Sequence, residues 1–417
     1  MLTNGGLVTV TPQRVQIVVR DAPAPHGLLA LAFSATLTIG LYDGATGVLL
    51  PSLQAFYHVG KGVISLLFLT TVFGYLTSSF GSGVLMKRLG QRHFFAFGAA
   101  TFAAGTTGLA LHPPFAVVLV AALLVGFGFA TLDAGLNTAL AVLPGSTRAL
   151  NYLHAFYGGG ALIGPLVASA ALAGGQPWNH VYLIWIISGV ALAACFLRLF
   201  QPSPVVTPEA VTPLEHDGLV VAVRLRIVQL CALFLLLYVG VEVTVGTWAY
   251  SFLTEVRHGD PLHAGWVTSG YWLGLTLGRL VIALMAPHVR FAQAKVVRYC
   301  LVGVFVGVLL VWLGPGEAVT ACGLVLIGFS LGPIFPTTIA LMPSLVPARL
   351  VPGSIGFIAG TGSAGAALFP WLAGVIAGSA GLELLMPYLV VLTGLMTVGW
   401  FVFRRVSGTV APRAMSR

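Results

Sequence analysis

The stretch QPSPVVTPEAVTPLEHDGLVVAVRLR, residues 201–226, decides how the rest of the chain is read. It holds four prolines and three acids, in a sequence otherwise so apolar that 58% of residues are hydrophobic and only 7% are charged. Prolines at that density cannot continue a helix, so the segment reads as a linker between two bodies. Six apolar runs precede it, near 28–56, 63–86, 93–112, 115–142, 150–174 and 178–200. Six follow, near 227–254, 262–286, 296–314, 317–343, 353–379 and 382–403. Each has the roughly 20 residues that a bilayer-spanning helix requires, and barrel-type alternation of polar and apolar residues is absent. The expected fold is all-α and integral to the membrane. Twelve transmembrane helices form two pseudo-symmetric bundles, 28–200 and 227–404, with a tail at each end (1–27 and 405–417).

Soluble domains carry roughly a quarter charged residues, which excludes a water-soluble enzyme here. The net charge of +9 could point to an acidic partner, but its distribution says otherwise. With a cytoplasmic N-terminus, eighteen of the twenty Lys and Arg residues fall to the inner side, and only Lys61 and Arg257 fall outside. That asymmetry is the positive-inside rule. It places both termini in the cytoplasm of a multi-pass plasma (inner) membrane protein and leaves no basic excess for nucleic acid. The first 27 residues lack a cleavable signal pattern, so the first span serves as the insertion signal. Cys195, Cys231, Cys300 and Cys322 lie singly in apolar spans and read as packing residues.

The two halves resemble each other weakly. VFGYLTSSFG (72–81) aligns with TSGYWLGLTLG (268–278), which pairs Gly74-Tyr75 with Gly270-Tyr271. LLVGFGF (123–129) aligns with VLIGFSL (325–331), and Gly160 with Pro165 matches Gly365 with Pro370. A period near 200 residues fits duplication of a six-helix unit. Glycines at three- and four-residue spacing, as in AFYGGGALIGP (155–165), let helix backbones approach closely.

Of eleven acids, eight belong to tails, loops or helix ends. The other three, Asp43, Asp133 and Glu242, lie within spans, where a charge costs several kcal/mol on insertion scales and normally serves function. The sequence offers no basic residue at matching depth, so these carboxyls suit reversible protonation or capture of a cation. Asn137 follows Asp133 by one turn and presents an amide on the same face. His154 and Tyr157 share a face of the fifth span. Trp248, Tyr271 and Trp272 supply aromatic surfaces of the kind that pack against the CH face of a sugar.

The loop GVLMKRLGQR (83–92) resembles the signature of the major facilitator superfamily, with Lys87 where an acid is usual and Gln91 where a base is usual. Lys87, Arg88 and Arg92 are its gating-loop candidates. Within that superfamily, TLDAGLNTAL, RALNYLHAFYGGGALIGP and GVEVTVGTWAYSFL resemble the fucose–galactose–glucose:cation symporter family, including its sodium-dependent glucose transporter branch. The resemblance implies alternating access and cation-coupled uptake of a monosaccharide. Asp133 takes the place of the family's fourth-span acid and Asp43 that of its first-span acid. His154 and Tyr157 stand where fucose transporters have amides.

The expectation is therefore a symporter, monomeric by analogy with the superfamily, with no cofactor. Asp133 and Asp43 couple the ion, which is a proton or sodium, with Asp133 the candidate sodium site. Asn137, His154, Tyr157, Glu242, Trp248, Tyr271 and Trp272 hold the solute. Two alternatives stand beside it: a proton-driven exporter of amphiphilic compounds, and a receptor that binds without transport. No nucleophile–base pair, phosphate loop or metal cluster accompanies the acids, so an enzyme is the weakest reading.

Overall fold

The computed structural model describes residues 26–141, 146–200, 216–289 and 293–414. Most of the N-terminal tail, residues 201–215 of the linker and the last three residues lie outside that set. The first half comprises α1 (His26–Tyr57), α2 (Lys61–Ile64), α3 (Leu66–Ala110), α4 (Phe115–Ala141), α5 (Ser146–Ala173) and α6 (Trp178–Leu199). A short helix α7 (His216–Arg224) occupies the linker and packs against the start of α13. The second half comprises α8 (Arg226–Ser251), α9 (Pro261–Val289), α10 (Gln293–Leu313), α11 (Gly316–Leu331), α12 (Ile334–Leu341), α13 (Val351–Ala380) and α14 (Leu385–Ala414). α14 stays helical eleven residues past the expected end of the twelfth span.

Among the described residues, eleven helices are long and apolar enough to cross a membrane. The count reconciles with twelve crossings at α3. Its 45 residues extend roughly 68 Å at 1.5 Å per residue, about twice a hydrocarbon core. The helix breaks at Gly90, whose φ of 71° and ψ of 159° belong to backbone that only glycine adopts freely. Spans two and three are thus joined by a bend one residue wide. The tenth span is interrupted between α11 and α12, where Pro333 cannot donate to the helical ladder. Three crossings end alike, at His58, His112 and His258, each left-handed with φ between 52° and 56°. A residue past the helix terminus in that conformation turns the chain and ends the helix.

The duplication is visible in how helices touch. Gly74 on α3 meets the Leu123 carbonyl of α4, and Gly274 on α9 meets the Val325 carbonyl of α11. Gly126 meets Thr71 and Gly328 meets Tyr271 in the same way. These contacts equate Gly74 with Gly274, and they correct the alignment made on Gly-Tyr, which slipped by one helical turn. A Gly-Tyr dipeptide matched by letter, whereas the backbone approach fixes the register. Likewise Gly160 on α5 meets Leu37 of α1, and Gly365 on α13 meets Leu236 of α8. That pairing keeps the expected Gly160–Gly365 match.

The halves meet mainly through α5 with α9, α1 with α8, and α2 and α3 with α13. Two polar contacts across the seam lie toward the end away from the basic loops, here the far end. Ser269 donates to the Leu162 carbonyl at 2.7 Å. Lys61 Nζ reaches Glu255 Oε2 at 2.7 Å. Gly62, Gly374 and Gly378 bring α2 and α13 into backbone contact beside that pair. At mid-depth Gly158 lies against Thr276. Nearer the basic end, Tyr152 and Phe156 of α5 are 46% and 41% exposed. The seam's contacts concentrate at the far end and thin toward the basic end, where Gly81 and Gly83 of α3 and Gly356 and Gly360 of α13 meet no neighbouring atom among the described residues.

Candidate functional site

Asp43 sits midway along α1, where α5 crosses it. Gly40 and Gly44 have no side chains, so the Tyr157 and Ala161 carbonyls of α5 press onto the α1 backbone. That proximity lets the Tyr157 hydroxyl donate to Asp43 Oδ2 at 2.8 Å. Among the described residues, no donor meets Asp43 Oδ1.

Asp133 is built the same way at the α3–α4 crossing. Gly74 and Gly126 close the gap, and the Tyr75 hydroxyl donates to Asp133 Oδ2 at 3.0 Å. Asn137 Nδ2 donates to Asp133 Oδ1 at 3.0 Å, and also to the Asp133 carbonyl at 2.9 Å. One turn toward the Gly90 bend, Ser78 and Thr131 share a hydrogen bond of 2.7 Å that fastens the same crossing. Asp133 thus has donors on both oxygens, which matches an ionised carboxylate, while Asp43 has one oxygen free to carry a proton. The two acids lie close enough to interact electrostatically, and His154 lies within such reach of Asp133. His154 is exposed on α5, on the side of the seam that is open.

Glu242 differs from expectation. Its Oε1 accepts from Arg279 Nη2 at 2.8 Å, and the two side chains are 13% and 34% exposed. The sequence places Arg279 with the inner-side charges and suggests no base at the depth of the acids. The structure corrects both points: Arg279 belongs to α9 and neutralises Glu242 across the α8–α9 contact. Arg279 also interacts electrostatically with His154 and Tyr157, so the pair borders the same polar cluster from the second half. The helix register makes Asp43 and Glu242 equivalent. Each follows its matched leucine, Leu37 or Leu236, by six residues and precedes a close-approach glycine, Gly47 or Gly246, by four.

The aromatic candidates lie elsewhere. Trp248 is wholly buried and donates its indole N–H to the Pro370 carbonyl at 3.0 Å, tying α8 to α13. Tyr271 is wholly buried too and donates to the Glu242 carbonyl at 2.7 Å. Trp272 packs on Gly246. In this conformation none offers a ring face to a solute, because aromatic bulk on these helices fills the bundle interior. Of the loop cations, Arg92 is a cap: its Nε and Nη2 donate to the Phe200 carbonyl at the end of α6, at 3.2 and 3.0 Å. Lys87 and Arg88 are exposed. Two site residues escaped the sequence reading. Tyr75 enters the sequence expectations only as a repeat marker, and Arg279 only as one of the inner-side charges. Its setting in GLTLGRLVIALM, apolar on both flanks, was the available signal.

The family model described as Major Facilitator Superfamily matches residues 32–257. The chain is 23% identical over 399 residues to Bypass of stop codon protein 6 of Saccharomyces cerevisiae (strain ATCC 204508 / S288c), covering 88% of this chain and 80% of that one. It is 25% identical over 383 residues to Multidrug efflux pump Tap of Mycolicibacterium fortuitum, covering 86% and 91%. Among solved structures, a D-xylose-proton symporter superposes with a TM-score of 0.75 at 12% identity, over 91% of this chain and 97% of that one. FucP in its outward conformation superposes with a TM-score of 0.61 at 19% identity, over 92% and 98%.

Proposed function

The chain belongs to the Major Facilitator Superfamily, and from that membership we propose that it is a cation-coupled symporter of a monosaccharide or similar polyhydroxylated solute. The observation that carries the proposal is the pair of embedded carboxyls, Asp43 and Asp133, each met by a tyrosine hydroxyl instead of a cation. A carboxyl held by neutral donors can gain and lose a positive ion without breaking a fixed ion pair. Loading it lowers the cost of closing apolar helices around the site, and the loaded carrier can then rock between its two openings. Asp43 Oδ1 is the place for a proton. Asn137, His154 and Tyr157, with the Glu242–Arg279 pair on the facing wall, supply the donors and acceptors that a hydroxyl-rich solute needs.

The positive-inside asymmetry puts the basic end in the cytoplasm, so the open side of this conformation faces inward. Sugar as the solute draws support from the family motifs and from the sugar-named structures sharing the fold. A second reading, a proton-driven exporter of amphiphilic compounds, is favoured by the similarity to the efflux pump along most of the chain, and it would use the same two acids. The test is uptake of labelled glucose, galactose and fucose into proteoliposomes under a proton gradient and, separately, a sodium gradient. Accumulation of any one identifies solute and ion. Failure of all three under both gradients sinks the sugar reading and leaves the exporter.

A further inference from the structure

At the basic end, α10 and α14 enclose a groove of about 230 Å³ lined by Ala294, Lys295, Arg298, Trp400, Phe401 and Arg404. Three cations converge there, and among the described residues no carboxylate pairs with any of them. Their crowding is unfavourable by itself. It is worsened on α10, which begins at Gln293, so that Lys295 and Arg298 stand in its first two turns, where the helix dipole repels positive charge and favours an anion. Above the cations the two helices turn apolar and outward. Leu395, Val398 and Phe401 of α14 are 51%, 60% and 53% exposed, and Val302 and Val306 of α10 are 58% and 42% exposed. Lys295, Arg298, Val302 and Val306 follow the three- and four-residue spacing of a single helix face. A charged floor thus continues into an apolar lane along the direction in which the helices cross the membrane.

We propose that this groove binds an anionic phospholipid of the leaflet on the basic side, with its phosphate among Lys295, Arg298 and Arg404 and an acyl chain along the lane. Free phosphate would satisfy the cations but leave the lane bare. The groove on the other flank of α14 has a single cation, Arg226, among its lining residues and serves as the comparison.

The experiment is native mass spectrometry of the full-length protein released from vesicles of equal phosphatidylglycerol and phosphatidylcholine with identical acyl chains. Wild type should retain phosphatidylglycerol in preference. Lys295→Gln, Arg298→Gln and Arg404→Gln should each lower that preference roughly fivefold, the effect of one basic residue at an anionic surface, and the triple variant about a hundredfold. Arg226→Gln should leave it unchanged. Equal retention of both lipids by wild type overturns the proposal, as does a triple variant that still prefers phosphatidylglycerol. Displacement of the lipid by millimolar glycerol 3-phosphate would assign the cations to a free phosphate and also refute it. Should the triple variant not fold, the three single variants decide.

Discussion

Asp43 and Glu242 occupy the same position in the two halves of the chain, yet Asp43 accepts a tyrosine hydroxyl and Glu242 accepts a guanidinium. Equivalent backbone settings have therefore been given opposite electrostatic settings. The first acid is met by a neutral donor. The second is bound into an ion pair whose loss leaves a cation stranded between helices.

Removing the two acids should have different consequences. Asp43→Asn keeps the shape and the hydroxyl partner, so the protein should fold and exchange solute across the membrane in counterflow, but gradient-driven accumulation should vanish. Glu242→Ala strands Arg279 and should lower stability by roughly 1–3 kcal/mol, with Glu242→Ala/Arg279→Met recovering most of it. Thermal unfolding in detergent and proteoliposome flux measure the two effects separately. Equal loss of stability in Asp43→Asn and Glu242→Ala would show that the two acids are not divided in this way.

The closeness of α1 and α5 at Gly40 sets the Asp43–Tyr157 bond. Gly40→Val places a side chain against the Tyr157 carbonyl, pushes the helices apart and should abolish active transport. Tyr157→Phe removes only the hydroxyl, a hydrogen bond worth about 1.5–3 kcal/mol to a carboxylate. It should shift the pH dependence of transport while leaving the fold intact. Transport by Gly40→Val at the wild-type rate would contradict the assigned crossing.

Lys61 and Glu255 bridge the two halves at the far end. Their side chains are 19% and 36% exposed, so the pair contributes roughly 0.2–1 kcal/mol. Glu255→Gln should raise the population open at the far end by up to about fivefold. Electron-spin distances between labels at Val63 and Leu384, both exposed near that seam, report the shift. The same distances should lengthen in wild type at high ionic strength, where screening weakens the pair.

The repeat register predicts unequal tolerance at two glycines of α9. A Cβ at Gly274 strikes the Val325 backbone, whereas one at Gly270 meets only a Val325 methyl at 3.1 Å. Gly274→Ala should lower the unfolding temperature markedly, and Gly270→Ala little. The reverse order would restore the alignment on Gly-Tyr.

The helical architecture was legible because span length is a property of long stretches and does not depend on which atoms touch. The polar segment at 201–226 divided the chain, and glycine spacing betrayed the duplication. The embedded acids were legible one at a time, since a carboxyl in an apolar run is conspicuous. Their partners were not. Tyr75 and Asp133 are 58 residues apart and Tyr157 and Asp43 are 114 apart, and only helix crossings bring them together. Arg279 was hidden by a topological assumption, and the buried aromatics misled because a tryptophan in a helix reads alike whether it faces a cavity or a neighbouring helix.

Arg92 grips the Phe200 carbonyl across 108 residues of chain. The bend at Gly90 and the exit of the first half are therefore one mechanical joint, closed into a ring around spans three to six. Phe200 is also buried against Phe95 and Phe196, so tension applied to the chain beyond it is shared between that joint and the aromatic core of the first half. The connection between the halves is thereby tied to the hairpin of spans two and three, which carries Tyr75 to Asp133.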